Sequence, residues 1–111
     1  MRKPLIERLE MDLLIERPGE SPVVVEIKTD NGAAAIQQGL GQLLLYGGLY
    51  RRHPEGSVAE LILLIPNRLP STHVAQVLAE YGVRVLTYED LDPPVFSREF
   101  LEICRLSEAA A

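Results

Sequence analysis

Three β-branched residues in a row, Val23-Val24-Val25, lead into Glu26-Ile27-Lys28. Pro22 precedes this run and the turn-forming Asp30-Asn31-Gly32 follows it, so the pattern predicts a buried strand with defined ends. Side chains alternate faces along a strand, so Val24, Glu26 and Lys28 share one face and Val23, Val25 and Ile27 the other. Buried charge is costly unless it is paired or bound to metal. One face of this strand passes from apolar to charged, which marks the point where it opens into a cleft. Upstream, Arg8 to Glu16 alternates as a second strand. Leu9, Met11, Leu13 and Ile15 fall on one face, and Glu10, Asp12, Leu14 and Glu16 on the other. Arg17-Pro18-Gly19-Glu20-Ser21 forms a five-residue turn between the two. A hairpin that sets Glu16 opposite Pro22 sets Asp12 opposite Glu26, and a two-residue shift makes that pair diagonal. Opposed like charges destabilise a sheet, and a divalent cation between them reverses the sign.

The rest of the chain alternates helix and strand. Residues Ala33 to Arg52 read as a helix with Ile36, Leu40, Leu43, Leu44 and Gly47 toward the sheet. Gly39, Gly41, Gly47 and Gly48 each cost about 1 kcal/mol relative to Ala in a helix. Such glycines imply close approach to the sheet or a break near Gly47-Gly48. Gln38, Gln42 and Tyr46 form one polar stripe along the same helix. Arg51-Arg52-His53 end it before Pro54, where cations suit the helix dipole. Glu60 to Pro66 is a buried strand. Pro70-Ser71-Thr72 caps a helix to Tyr81, with Val74, Val77, Leu78 and Tyr81 as its apolar stripe, and Gly82 closes it. Val83 to Tyr88 is a further strand and Asp92-Pro93-Pro94 a break. Ser97 opens a last helix whose apolar positions are Phe96, Phe100, Leu101, Ile103, Cys104 and Leu106. The expected order is β-β-α-β-α-β-α: an α/β domain with a mixed central sheet and a right-handed parallel crossover.

Composition narrows the function classes. At 111 residues and 47% hydrophobic, the chain is one domain with enough apolar residues for a core. The net charge of -5 argues against a broad nonspecific nucleic-acid surface but leaves room for a local basic groove. A single cysteine, Cys104, excludes an intrachain disulfide and any cysteine-based metal centre within the chain. In an apolar stripe it reads as a small core residue. The start of the chain has no leader-like apolar segment and no run is long enough to cross a membrane, so the expectation is a cytoplasmic protein without membrane partners. No phosphate-cradling glycine motif is present. His73 reads as a surface or capping residue, Asn67-Arg68 as a loop at a strand end, and Asp90 and Asp92 as turn residues.

Asp12, then thirteen residues, then Glu26-Ile27-Lys28, resembles the D…ExK signature of the PD-(D/E)XK nuclease superfamily. The frames DLLIE and VVVEIK are similar to its strands. Gln42-Leu43-Leu44-Leu45-Tyr46 resembles the QxxxY helix motif of its RecB-like branch. The resemblance spans residues 8 to 66 and implies a restriction-endonuclease-like fold and a metal-dependent nuclease, with DNA ahead of RNA as substrate. It implies that Asp12, Glu26 and the carbonyl of Ile27 hold Mg²⁺ or Mn²⁺. Asp12, Glu26 and Lys28 would be catalytic, Lys28 serving the attacking water, and Gln42 and Tyr46 would position substrate. Gln38 lies outside the motif. Glu7 and Glu10 are candidate further acids, Glu10 the better placed because it shares the face of Asp12. The family's N-terminal helix is short or missing here. The domain would then be minimal or a fragment, and a homodimer or a partner subunit would complete that layer. Two other readings stand beside it: a family-like module that no longer cuts and serves nucleic-acid binding or assembly, and an unrelated α/β domain with a fortuitous ExK, in which Asp12 and Glu26 would lie far apart. Without a site, Asp12, Glu26 and Lys28 would form a cross-strand ion pair at an exposed sheet end.

Overall fold

The structure is a computed structural model that describes the backbone of residues 5–6 and 9–110 and the side chains of residues 11–104. Strands β1 (Leu5–Ile6) and β2 (Leu9–Glu10) pair with each other as a short antiparallel ribbon. The main sheet has five strands in sequential order: β3 (Leu13–Ile15), β4 (Val23–Ile27), β5 (Glu60–Pro66), β6 (Val83–Glu89) and β7 (Val95–Phe96). The outer pairs β3–β4 and β6–β7 are antiparallel, and the inner pairs β4–β5 and β5–β6 are parallel. Helix α1 (Ala33–Arg52) connects β4 to β5, α2 (Thr72–Glu80) connects β5 to β6, and α3 (Arg98–Ala110) follows β7. The chain is therefore an α/β protein with a mixed sheet, as its pattern requires. Among the described residues, no helix is long and apolar enough to cross a membrane.

The sheet is covered on both faces. Two successive crossovers of one hand put α1 and α2 on the same side. There Leu14, Val24, Leu63, Ile65 and Val83 pack against Ile36, Leu43, Tyr46, Tyr50 and Leu78. The other face carries Ile15, Val23, Val25, Ile62, Leu64 and Leu86, covered by Phe100 and Ile103 of α3. Residues 62 to 65 of β5 are all buried, which explains their unbroken apolar run.

Helix α1 keeps its expected bounds and its expected inward face at Ile36, Leu40, Leu43 and Gly47, but not at Leu44. Its buried positions are Ile36, Gly39, Leu43, Tyr46 and Tyr50, a spacing of three and four residues, while Leu44 is 41% exposed. Gly39 supports this close packing: a Cβ there would lie 2.4 Å from Leu63 Cδ1, so a larger residue would force the buried Leu63 side chain or the helix to shift. Close approach, rather than a break, accounts for the helix glycines at Gly39 and Gly47, and α1 runs unbroken to Arg52. In α2, Leu78 is buried and Val77 and Tyr81 are exposed, so half of the expected stripe faces outward.

Two further departures concern the ends of the sheet. The alternating stretch from Arg8 to Glu16 is not one strand: β2 ends at Glu10, Asp12 lies in a bend, and β3 starts at Leu13. The bend reverses the alternation, so Met11 joins Leu14 on the α1 side instead of Leu13 and Ile15. Phe96 belongs to β7, a strand that the Asp92-Pro93-Pro94 break conceals, and Ser97 precedes α3 with its hydroxyl accepting from the Phe100 N–H at 3.3 Å. The Arg17–Ser21 turn forms as expected, with Gly19 at φ +75 and the Arg17 side chain bonded to the Ser21 carbonyl and to Glu60 across the sheet.

Candidate active site

The β3–β4 register pairs Leu13 with Val25, Leu14 with Val24 and Ile15 with Val23. Continued by one step it sets Asp12 beside Glu26, the juxtaposition expected from the hairpin. Because β3 stops at Leu13, the next main-chain group of β4 on that side has no strand partner. The Asp12 carboxylate takes its place: the Ile27 N–H donates to Asp12 Oδ2 at 2.8 Å. The N–H and C=O of a strand residue point to the same side, so the Ile27 carbonyl is directed toward the Asp12 edge as well.

Glu26 points to the α1 face and is 4% exposed. Its Oε1 lies 3.6 Å from Lys28 Nζ, and Lys28 Nζ donates to Gln42 Oε1 of α1 at 2.6 Å. Strand β4 and helix α1 thus meet at the amine, and residues 14 apart in sequence become one hydrogen-bonded unit. Burial raises the Glu26 pKa from 4.5 to about 7; the adjacent Asp12 adds to the rise, and Lys28 opposes it. With both carboxylates ionised, neither has a proton to donate, and Glu26 Oε2 is left buried without a hydrogen-bond partner.

Of the residues singled out from the sequence, Asp12, Glu26, Ile27, Lys28 and Gln42 come together here. Tyr46 lies one turn beyond Gln42, buried among the apolar residues of the α1 face. Gln38 is exposed, as are His73 and Arg68. Cys104 packs against the α3-side core, where its stripe placed it. Glu7 and the side chain of Glu10 lie outside the described residues. One residue of the site escaped the sequence reading. Tyr88 of β6 donates its hydroxyl to the main-chain carbonyl of Lys28 at 2.8 Å, from two strands away. Only the register, which sets Tyr88 beside Pro66, makes this contact foreseeable.

The donor set suits a hard divalent cation. Mg²⁺ takes oxygen ligands and is commonly held by one or two carboxylates with water completing its shell. An unpartnered buried carboxylate oxygen beside a second carboxylate, with a strand carbonyl on the same edge, offers that set. Among the described residues no group of three or more His, Cys, Asp or Glu side chains is placed to hold a metal, so a cation here would rely on main-chain and water oxygens beyond the two acids. No protein-family model matches this chain, and neither a curated protein nor a solved structure does.

Proposed function

We propose that this chain is a metal-dependent nuclease of the PD-(D/E)XK type, with a restriction-endonuclease-like sheet, and that it hydrolyses phosphodiester bonds in DNA ahead of RNA. The observation that carries this reading is the buried Glu26 Oε2, left without a partner once Glu26 and Asp12 are both ionised, beside Asp12 and the Lys28–Gln42 pair. Asp12, Glu26 and the Ile27 carbonyl would hold Mg²⁺. That ion, when bound, would supply a Lewis acid for the phosphodiester oxygen and acidify a coordinated water. The Lys28 amine is held between Gln42 and Glu26. One of its three N–H groups is committed to Gln42 and the amine also lies against Glu26, which leaves an N–H to face an attacking water or a phosphate oxygen. Asp12 is kept in place by the Ile27 N–H, so its orientation does not depend on the ion.

A second reading is a module of the same kind that no longer cuts and serves binding or assembly. The count of only two described acids at the site and the net charge of -5 favour it. The deciding experiment incubates single-stranded, duplex and branched DNA with the protein in Mg²⁺, Mn²⁺ or EDTA, alongside Glu26→Gln and Lys28→Ala. Metal-dependent cleavage lost in both variants supports the nuclease. No cleavage by folded wild-type protein, together with no Mn²⁺ binding by calorimetry, moves the conclusion to the inert module.

A further inference from the structure

The end of β4 lacks a normal ladder on its β5 side as well. Lys28 N–H donates to the Leu64 carbonyl at 2.9 Å, so the next rung of this parallel pair would run from the N–H of residue 66 to the Lys28 carbonyl. Residue 66 is proline and has no N–H. Its neighbour on β6 is Tyr88, whose hydroxyl reaches past Pro66 to that carbonyl at 2.8 Å. The phenol is well placed to remain a donor. Burial, and then Asp90, push its pKa above the usual 10.0.

The ring has little freedom to leave. Tyr88 is buried and packs on Phe96 of β7 at 5.9 Å between ring centroids, and Phe96 packs on Phe100 of α3 at 5.4 Å. Its main chain is tied to the loop after β5. The Asn67 N–H donates to the Tyr88 carbonyl at 2.6 Å, and the Asp90 N–H donates to Asn67 Oδ1 at 3.0 Å. Asn67 holds a φ of 66 to make this corner, and Asn31 Nδ2 donates to the Pro66 and Arg68 carbonyls from the other side.

We propose that Tyr88 is a positioning residue for Lys28: its hydroxyl gives the Lys28 carbonyl the hydrogen bond that Pro66 cannot, and so fixes the Lys28 amine against Glu26 and Gln42. The consequence for catalysis rests on the nuclease reading; the consequence for the geometry of Lys28 does not. Tyr88→Phe keeps the ring and its packing and removes only the donor. Pro66→Ala restores a main-chain N–H at the matching rung, so the double variant tests whether the hydrogen bond, rather than the tyrosine, is what matters.

Wild type, Tyr88→Phe, Pro66→Ala and the double variant are compared by carbonyl and side-chain NMR and by Mg²⁺-dependent cleavage of DNA. In Tyr88→Phe the Lys28 carbonyl resonance should move upfield and the Lys28–Gln42 side-chain contact should weaken. There kcat should fall roughly tenfold with KM unchanged, the scale of one lost hydrogen bond. Pro66→Ala alone should resemble wild type, and the double variant should regain the carbonyl shift, the contact and kcat. An unmoved Lys28 carbonyl in Tyr88→Phe, a retained Lys28–Gln42 contact, or a double variant no better than Tyr88→Phe overturns the proposal. If folded wild-type protein cuts nothing, the nuclease reading fails on that result, and the two spectroscopic readouts decide the role of Tyr88 by themselves.

Discussion

Replacing Glu26 by Gln should make the metal-free protein more stable at neutral pH and leave it unchanged in acid. The folded protein holds the Glu26 proton up to about pH 7, whereas the unfolded chain releases it near 4.5. Between those values the folded state binds more protons than the unfolded one, so wild-type stability falls as pH rises through this window. At about 1.36 kcal/mol for each factor of ten, the loss reaches roughly 3 kcal/mol above pH 7. Glu26 is almost wholly buried, so solvent does little to screen this. For a domain whose total stability is of order 5–15 kcal/mol, that is a large fraction. Gln has no proton to lose and keeps an oxygen for Lys28. Urea unfolding in EDTA should therefore show the two proteins equal near pH 4.5. They should diverge up to pH 7 and differ by about 3 kcal/mol beyond it, or on the order of 10 °C in Tm. Adding Mg²⁺ at high pH should recover stability in wild type and not in the variant. A variant that is no more stable than wild type at pH 8, or a gap that does not depend on pH, would refute the account of Glu26 as a desolvated acid pressed against Asp12.

Asp12→Asn keeps an oxygen for the Ile27 N–H but removes the neighbouring charge, so an NMR titration should find the Glu26 pKa below its wild-type value of about 7. Lys28→Ala removes the one group that lowers it and should move the same titration the other way. Gly39→Ala should destabilise by about 1–3 kcal/mol in chemical denaturation, because its methyl meets the fully buried Leu63, whereas Gly41→Ala meets nothing and should gain up to about 1 kcal/mol. Arg17→Ala releases the Ser21 carbonyl and exposed Glu60 and should lower stability by about 1–2 kcal/mol.

The strand–helix frame was legible because its signals are local. The Val23-Val24-Val25 run and the bounds Ala33–Arg52 and Glu60–Pro66 follow from periodicity and turn residues, whereas the hairpin register, open to a two-residue shift in the sequence, is settled by the pairing of Leu13 with Val25. What escaped depends on contacts between distant segments. Asp12 sits in a strand-like alternation, yet its carboxylate does better as the acceptor for Ile27 than as one more strand side chain, and the resulting bend moves Met11 to the other core. Leu44 is as apolar as Leu43, but α1 packs closely on Leu63 at Gly39, and Leu44 is turned out. Strand β7 is two residues long and shows no alternation to read; its pairing with Tyr88 and Glu89 makes it a strand.

These misses bear on the site itself. A central strand normally has its main chain satisfied by its neighbours, and its side chains then have little freedom to be anything but packing. At the end of β4 both neighbours withdraw: β3 stops at Leu13, and β5 presents Pro66 in place of a donor. Two side chains complete the ladder instead, Asp12 on one side and Tyr88 on the other. The charged residues of the motif, Glu26 and Lys28, project from this side-chain-completed segment. Asp12 is then both the acceptor that ends the β3 edge and the carboxylate that presses on Glu26. Structure and chemistry separate at that residue only through the choice of substitution, since Asp12→Asn spares the first role and removes the second. Asp12→Ala should remove both and cost more stability in EDTA than Asp12→Asn does. Equal stability of the two variants by urea unfolding would show that the Ile27 hydrogen bond does not hold the strand end.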